Sequence, residues 1–226
     1  MKLSEHTVEV LKNFATINQN LVIKEGNTLT TMSAMKNIVA KAEVEEVFPQ
    51  EVAIYDLNEF LAALSLFSNP NLDFKESYVV ITEEGSGSSL KYFYSDPSVV
   101  TTPSKVITMP SEDVKFKLAT EDLANLKKAA GVIGAPDLAF SKNELGTRLT
   151  VKDKKNDTAN DYSLNVNVDV CEETSKFNFF FKVENMKLLS GDYNVIVSSK
   201  NISYFKNNNM NIEYWVALEP ESTYEV

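Results

Sequence analysis

The residue types able to do chemistry are few and poorly placed for it. The only histidine, His6, falls in the first turn of an expected helix, and the only cysteine, Cys171, precedes Glu172 and Glu173 at an expected strand end. One imidazole cannot supply a triad that needs a second partner, nor a His-rich metal site. One thiol rules out an intrachain disulfide and a cysteine-based zinc cluster. The seven glycines form no phosphate-cradling motif. The run DKKNDTAND (153–161) lacks the central Gly and terminal Glu of a calcium loop and reads as a solvated loop. Glu43, Glu45 and Glu46 read as a charged strand end, because paired carboxylates do acid–base work only in a pocket that holds them. An enzyme is not expected, nor is a metal or cofactor.

What remains is charge. The chain carries 22 Lys+Arg against 32 Asp+Glu, a formal net charge of −10. Residues 1–113 hold 8 Lys and 16 acids, whereas residues 114–226 hold 14 Lys+Arg and 16 acids. An acidic chain is not an obvious partner for a phosphate backbone, so any contact with DNA requires basic residues gathered on one face. Acidic residues open the expected helices (Glu5, Asp56 with Glu59, Glu121 with Asp122, Glu184), and Lys12, Lys127, Lys128 and Lys187 follow later. The helix dipole favours that order by itself, and a basic surface facing an anionic partner would show the same order. In TEDLANLKKAAGVIG (120–134), Lys128 shares a face with Glu121 and Asn125, opposite Leu123, Leu126, Ala130 and Ile133, while Lys127 lies at the border.

The elements that must carry these lysines recur. A strand-into-helix junction is read in MKLSEHTVEVLKNFATI (1–17), VAIYDLNEFLAALSLF (52–67), VKFKLATEDLANLKKAAGVI (114–133) and FNFFFKVENMKLLS (177–190). Val8, Leu11, Phe14 and Ile17 stripe the first helix, Leu57, Phe60, Leu61 and Leu64 the second, and Val183, Met186 and Leu189 the fourth. Ser4, Asp56 and Thr120 suit N-caps. Strand-like runs follow each helix: 21–25, 28–34 and 38–46; then 78–83 and 89–95; then 137–142, 145–152 and 162–170; then 192–199, 202–206 and 211–218. Four such units pair into two similar α+β halves, each with two helices on antiparallel sheets. Pro97, Pro103 and Pro110 mark an extended connector. The expected division is 1–95, a connector over 96–112, and 113–226. Exposed sheet edges would favour edge-to-edge assembly. No stretch has the length of a membrane span and the start lacks the apolar core of a signal peptide, so a soluble intracellular protein is expected.

Several segments, in order along nearly the whole chain, carry a resemblance. LKNFATIN (11–18), VAIYDLNEFL (52–61), FNF leading to ENMK (177–187) and VALEPEST (216–223) resemble the DNA polymerase sliding clamps of T-even-type bacteriophages. The resemblance implies a DNA-clamp fold assembled as a closed homotrimeric ring of six similar domains, with helices lining the hole and sheets outside. It implies encirclement of duplex DNA without sequence preference, tethering of the replicative polymerase, loading by an ATP-dependent clamp loader, and work in the cytoplasm of an infected bacterial host. In that setting the expected DNA-facing residues are Lys12, Lys127, Lys128 and Lys187, with Lys2 and Lys182 as weaker members. The helix after Asp56 would present Asn58, Ala62 and Ser65 as a neutral part of the wall. The groove for partner peptides would draw on Val99, Val100, Pro103, Trp215, Val216 and Leu218. Two other readings stand beside this one: an adaptor built on a duplicated α+β domain with no DNA role, and a small-molecule enzyme, which would need a deep pocket of converging carboxylates.

Overall fold

The computed structural model describes residues 1–103, 106–144 and 146–226, and the chain divides into two units, Met1–Val106 and Ile107–Val226. Ser104 and Lys105 of the expected connector, and Leu145 of an expected strand, lie outside the described residues. The first unit runs α1 (Glu5–Ile17), β1 (Leu21–Ile23), β2 (Gly26–Met32), β3 (Ile38–Phe48), β4 (Val52–Ile54), α2 (Leu57–Ser65), β5 (Asn71–Phe74), β6 (Tyr78–Thr82) and β7 (Ser89–Phe93). Within it β1 pairs with β4, β2 with β3, and β5, β6 and β7 form one sheet in that order, all antiparallel.

The second unit runs β8 (Val114–Leu118), α3 (Thr120–Ile133), β9 (Asp137–Asn143), β10 (Gly146–Lys152), β11 (Tyr162–Asn165), β12 (Val168–Val170), β13 (Lys176–Lys182), β14 (Tyr193–Ser198), β15 (Ile202–Asn207), β16 (Ile212–Ala217) and β17 (Thr223–Glu225). Its strands form two antiparallel series, β12-β8-β14-β15-β16 and β11-β10-β9-β13-β17. The run 162–170, expected as one strand, is two strands in two different sheets. The chain crosses between them at residues 166–167, where the Val166 N–H donates to the Thr147 carbonyl (3.0 Å), as happens where strands make corners.

Helix ends follow the sequence closely in the first unit. The Ser4 hydroxyl accepts the Thr7 N–H (3.2 Å), and Asp56 accepts the N–H groups of Asn58 (2.9 Å) and Glu59 (3.1 Å). A residue from β3 completes the first cap. The Glu46 carboxylate accepts both the Ser4 N–H and the Thr7 hydroxyl, so a residue expected only as strand-end charge joins α1 to the sheet. Burial raises its carboxyl, but the hydrogen bonds from Thr7 and Ser4 prevail and hold it below the usual carboxylate range. This bond draws Thr7 fully inside, beside Val10, Leu11, Phe14 and Ile17, and leaves Val8 half-buried. In α3 the cap differs from expectation. Thr120 is the first helical residue, and Asp192, far away in sequence, accepts its N–H (2.8 Å) and hydroxyl (2.7 Å).

The fourth helix is absent. Residues Val183–Asn185 make a single 3-10 turn, and the chain then continues irregularly. The window between β13 and Ser190-Gly191 is only seven residues, 183–189, too short for a helix to hold without strong tertiary support. The spacing of Val183, Met186 and Leu189 suits a three-residue period as well as a helix. Side chains satisfy the backbone instead: the Tyr214 hydroxyl accepts the Leu189 N–H (3.2 Å), and the Tyr193 hydroxyl donates to the Leu189 carbonyl (2.7 Å). Burial pushes the Tyr193 phenol up to about 12, so it stays protonated as a donor.

The cap at α1 yields a test. Glu46→Ala leaves the buried Thr7 hydroxyl and the Ser4 N–H without their acceptor, a loss of roughly 1–3 kcal/mol. Urea unfolding of the variant should show a lower midpoint with an unchanged slope.

Candidate nucleic-acid interface

α3 lays Leu123, Leu126 and Ala130 inward and leaves Glu121, Ala124, Lys127, Lys128 and Val132 exposed. Its apolar stripe meets Leu138, Val151, Val183 and Met186. Lys128 therefore points away from the sheet, with no ion pair among the described residues. Lys127, one position round, is exposed too, but its ammonium turns back to the flank. Its ammonium donates to the Leu188 carbonyl (2.8 Å), and burial pushes its pKa down. It closes the irregular segment that stands where the fourth helix was expected. Lys187 lies in that same segment, half-buried, and not on a helix.

In the first unit Lys12 is exposed on α1, opposite Val10 and Phe14, in a cleft shared with Glu5, Glu9, Leu64 and Pro70. Lys2 is exposed beside Glu83 and Glu84. α2 exposes Asn58, Ala62 and Ser65, with no cation.

Lys182 is occupied. Asp137, almost fully buried, accepts from the Lys182 ammonium (2.6 Å) and the Lys154 N–H (3.2 Å). Lys154 also contacts Glu219 (3.1 Å) and Glu221 (2.5 Å). Burial raises the Asp137 carboxyl; the hydrogen bonds from Lys182 and Lys154 and their positive charges overcome this and hold it below its ordinary value. The hydrogen bond that Lys182 donates to Asp137, with the charge of that carboxylate, raises the Lys182 pKa. A buried carboxylate so neutralised is a structural ion, not a base awaiting a substrate. This cluster was not legible in the sequence, because its members lie as much as 84 residues apart (137 to 221) and only the folded sheet brings them together.

The six expected groove residues differ in exposure within their own units. Val100 is buried with Val22 and Ala53, whereas its neighbour Val99 is 56% exposed at the end of a 3-10 turn, Pro97–Val99. Pro103 is half-buried. On β16, Val216 is fully buried and Leu218 just beyond the strand nearly so, while Trp215 faces the other way, half-exposed and against Tyr204 with ring centroids 5.2 Å apart. Strand alternation forces this split. Val100, Val216 and Leu218 pack in the core of their own units.

Two outcomes follow. Lys127→Met should lower the melting temperature, because the Leu188 carbonyl loses its donor, whereas Lys128→Ala should leave it nearly unchanged. Asp137→Asn should cost roughly 3 kcal/mol at neutral pH by leaving two ammonium groups without their shared carboxylate. Because the folded Asp137 pKa lies below its unfolded value, its stabilisation is complete above about pH 4 and disappears as pH falls through the lowered pKa. Acid unfolding of the parent should accordingly be steeper than that of the variant, measured by circular dichroism.

Comparison with known proteins agrees across both units. Residues 2–102 match a family described as DNA polymerase processivity factor, and residues 115–220 one described as gp45 sliding clamp, C terminal. The chain is 36% identical over 222 residues to a sliding clamp of Vibrio phage KVP40, covering 97% of this chain and 99% of that protein. It is 32% identical over 237 residues to a sliding clamp of Enterobacteria phage T4, covering all of both. Among solved structures, it resembles Proliferating Cellular Nuclear Antigen from Entamoeba histolytica (TM-score 0.69, 15% identity, 96% of this chain and 97% of that one). It also resembles PCNA from Thermococcus kodakaraensis (TM-score 0.70, 12% identity, 97% and 99%). The last two likenesses speak to the fold alone, but identity to the phage proteins over full length does more: this chain belongs to the sliding-clamp family of DNA polymerase processivity factors.

Proposed function

We propose that three copies of the chain close into a ring around duplex DNA and hold the replicative polymerase to it, in the cytoplasm of an infected bacterial host. The observation that carries the DNA contact is that α1 and α3 each bury one face and leave a lysine, Lys12 and Lys128, exposed on the other. These two are the proposed wall lysines, with Lys2 and Lys187 subordinate. Lys127 and Lys182 are set aside, since the first serves a carbonyl and the second a buried carboxylate. Few cations suit the task. Topological enclosure prevents escape, so phosphate contacts that are weak, screened and blind to sequence let the ring slide. The proposed division places clamp domains at 1–95 and 113–226, with 96–112 as connector. Val99, Pro103 and Trp215, which remain accessible, are the proposed points for partner docking. Opening and closing the ring falls to a separate ATP-dependent loader, and the chain itself performs no reaction.

The test pairs assembly with retention on DNA. The parent should run at three times 25.3 kDa at micromolar concentration. The Lys12→Ala/Lys128→Ala variant should keep that mass but give shorter polymerase products per binding event, more so at low salt. Product lengths identical to the parent's would remove these lysines from the DNA face, and a monomeric mass would count against the ring.

A further inference from the structure

The β11-β10-β9-β13-β17 sheet has two unlike faces. One carries Leu138, Phe140, Leu149, Val151, Phe177 and Phe179 into the core beneath α3. On the other, the register sets Asn165, Arg148, Ser141, Asn178 and Thr223 in one row across all five strands. Thr150 and Ser163 lie in the next row, their hydroxyls hydrogen-bonded at 2.7 Å. This floor, which also holds Ala139 and Phe180, has Arg148 in its first row and Lys152 on β10 and Lys176 on β13 at its borders.

Three features distinguish it from an ordinary solvated face. Arg148 is the only arginine in a chain of net charge −10. Its Nε donates to Asn165 Oδ1 (3.2 Å), which aims the guanidinium while leaving the other donors of the fork available. Among the described residues, Arg148, Lys152 and Lys176 make no ion pair, although Lys176 has Glu225 as its cross-strand neighbour. By contrast the nearby Lys142 is consumed by the Glu172 and Glu173 carbonyls (both 2.9 Å) and the Cys171 sulfur (3.4 Å).

We propose that this sheet face binds an extended acidic peptide segment of a partner protein, with Arg148 and Lys152 engaging carboxylates along its length and Lys176 a third across it. Arg148 and Lys152 are four residues apart on one strand, hence about 13 Å apart on the same face. An extended peptide lying parallel to β10 repeats that spacing between its positions i and i+4, and the serine, threonine and asparagine floor offers hydrogen bonds between them. The two carboxylates of the site, Asp161 leading into edge strand β11 and Glu225 on edge strand β17, lie at its margins, so a peptide aligned along β10 keeps its acids on the cationic strand. The face is also opposite the one α3 covers, so the duplex proposed to pass α3 does not reach it.

The probe is a fluorescein-labelled seven-residue peptide with Glu at alternate positions and Ala between, titrated with the full chain in low salt and read by anisotropy. Saturable binding is expected, lost when Gln replaces each Glu of the peptide, and weakened by about tenfold or more in Arg148→Ala/Lys152→Ala/Lys176→Ala. The Lys12→Ala/Lys128→Ala variant should bind the peptide like the parent, which separates this surface from the DNA face. Should the triple variant not fold, Lys152→Glu alone reads the same effect. Absence of saturable binding, binding indifferent to these substitutions, or an oligothymidylate of equal charge binding this face more tightly than the peptide would each overturn the proposal.

Discussion

The packing of α3 on one side of the β10 sheet is the constraint from which the second unit's surfaces follow. Leu123 and Leu126 press on Leu138 and Val151, and two periodicities then leave no choice. On the helix, the 3.6-residue period turns Lys128 outward and brings Lys127 to the flank. On the strand, the two-residue period sends Leu149 and Val151 under the helix and Arg148, Thr150 and Lys152 to the opposite face. One hydrophobic contact thus separates two basic surfaces by the full thickness of the sheet.

That separation bears on how an acidic chain can handle DNA at all. Cations spread evenly over such a surface would be cancelled by their neighbours. Here the ammonium groups of several are engaged by specific bonds: Lys127 to a carbonyl, Lys154 and Lys182 to Asp137, Lys142 to a loop. Lys12 and Lys128, by contrast, stand on helix faces that packing turns outward. A clamp suits weak attraction, because enclosure supplies the persistence and strong contacts would impede sliding.

The irregular segment after β13 shows how the two halves can share a plan without sharing every element. Where a fourth helix would have satisfied its own backbone, the hydroxyls of Tyr193 and Tyr214 and the ammonium of Lys127 do so from neighbouring elements. Buried backbone groups require partners whatever their source.

Several features were set by local sequence alone. The caps at Ser4 and Asp56, the helical stripes of α1, α2 and α3, most strands, and the outward direction of Lys12 and Lys128 all depend on neighbours within a turn or two. So did the resemblance to sliding clamps, carried by short segments in order. Only the tertiary structure decided the rest: the loss of the fourth helix, the Glu46 and Asp192 caps, the splitting of 162–170 between two sheets, and which lysines are spoken for. Those outcomes rest on bonds between residues tens of positions apart, such as Thr7 with Glu46 and Asp137 with Lys182. Periodicity reports which way a side chain leaves its own element, whereas what it meets there depends on a partner that no local pattern encodes.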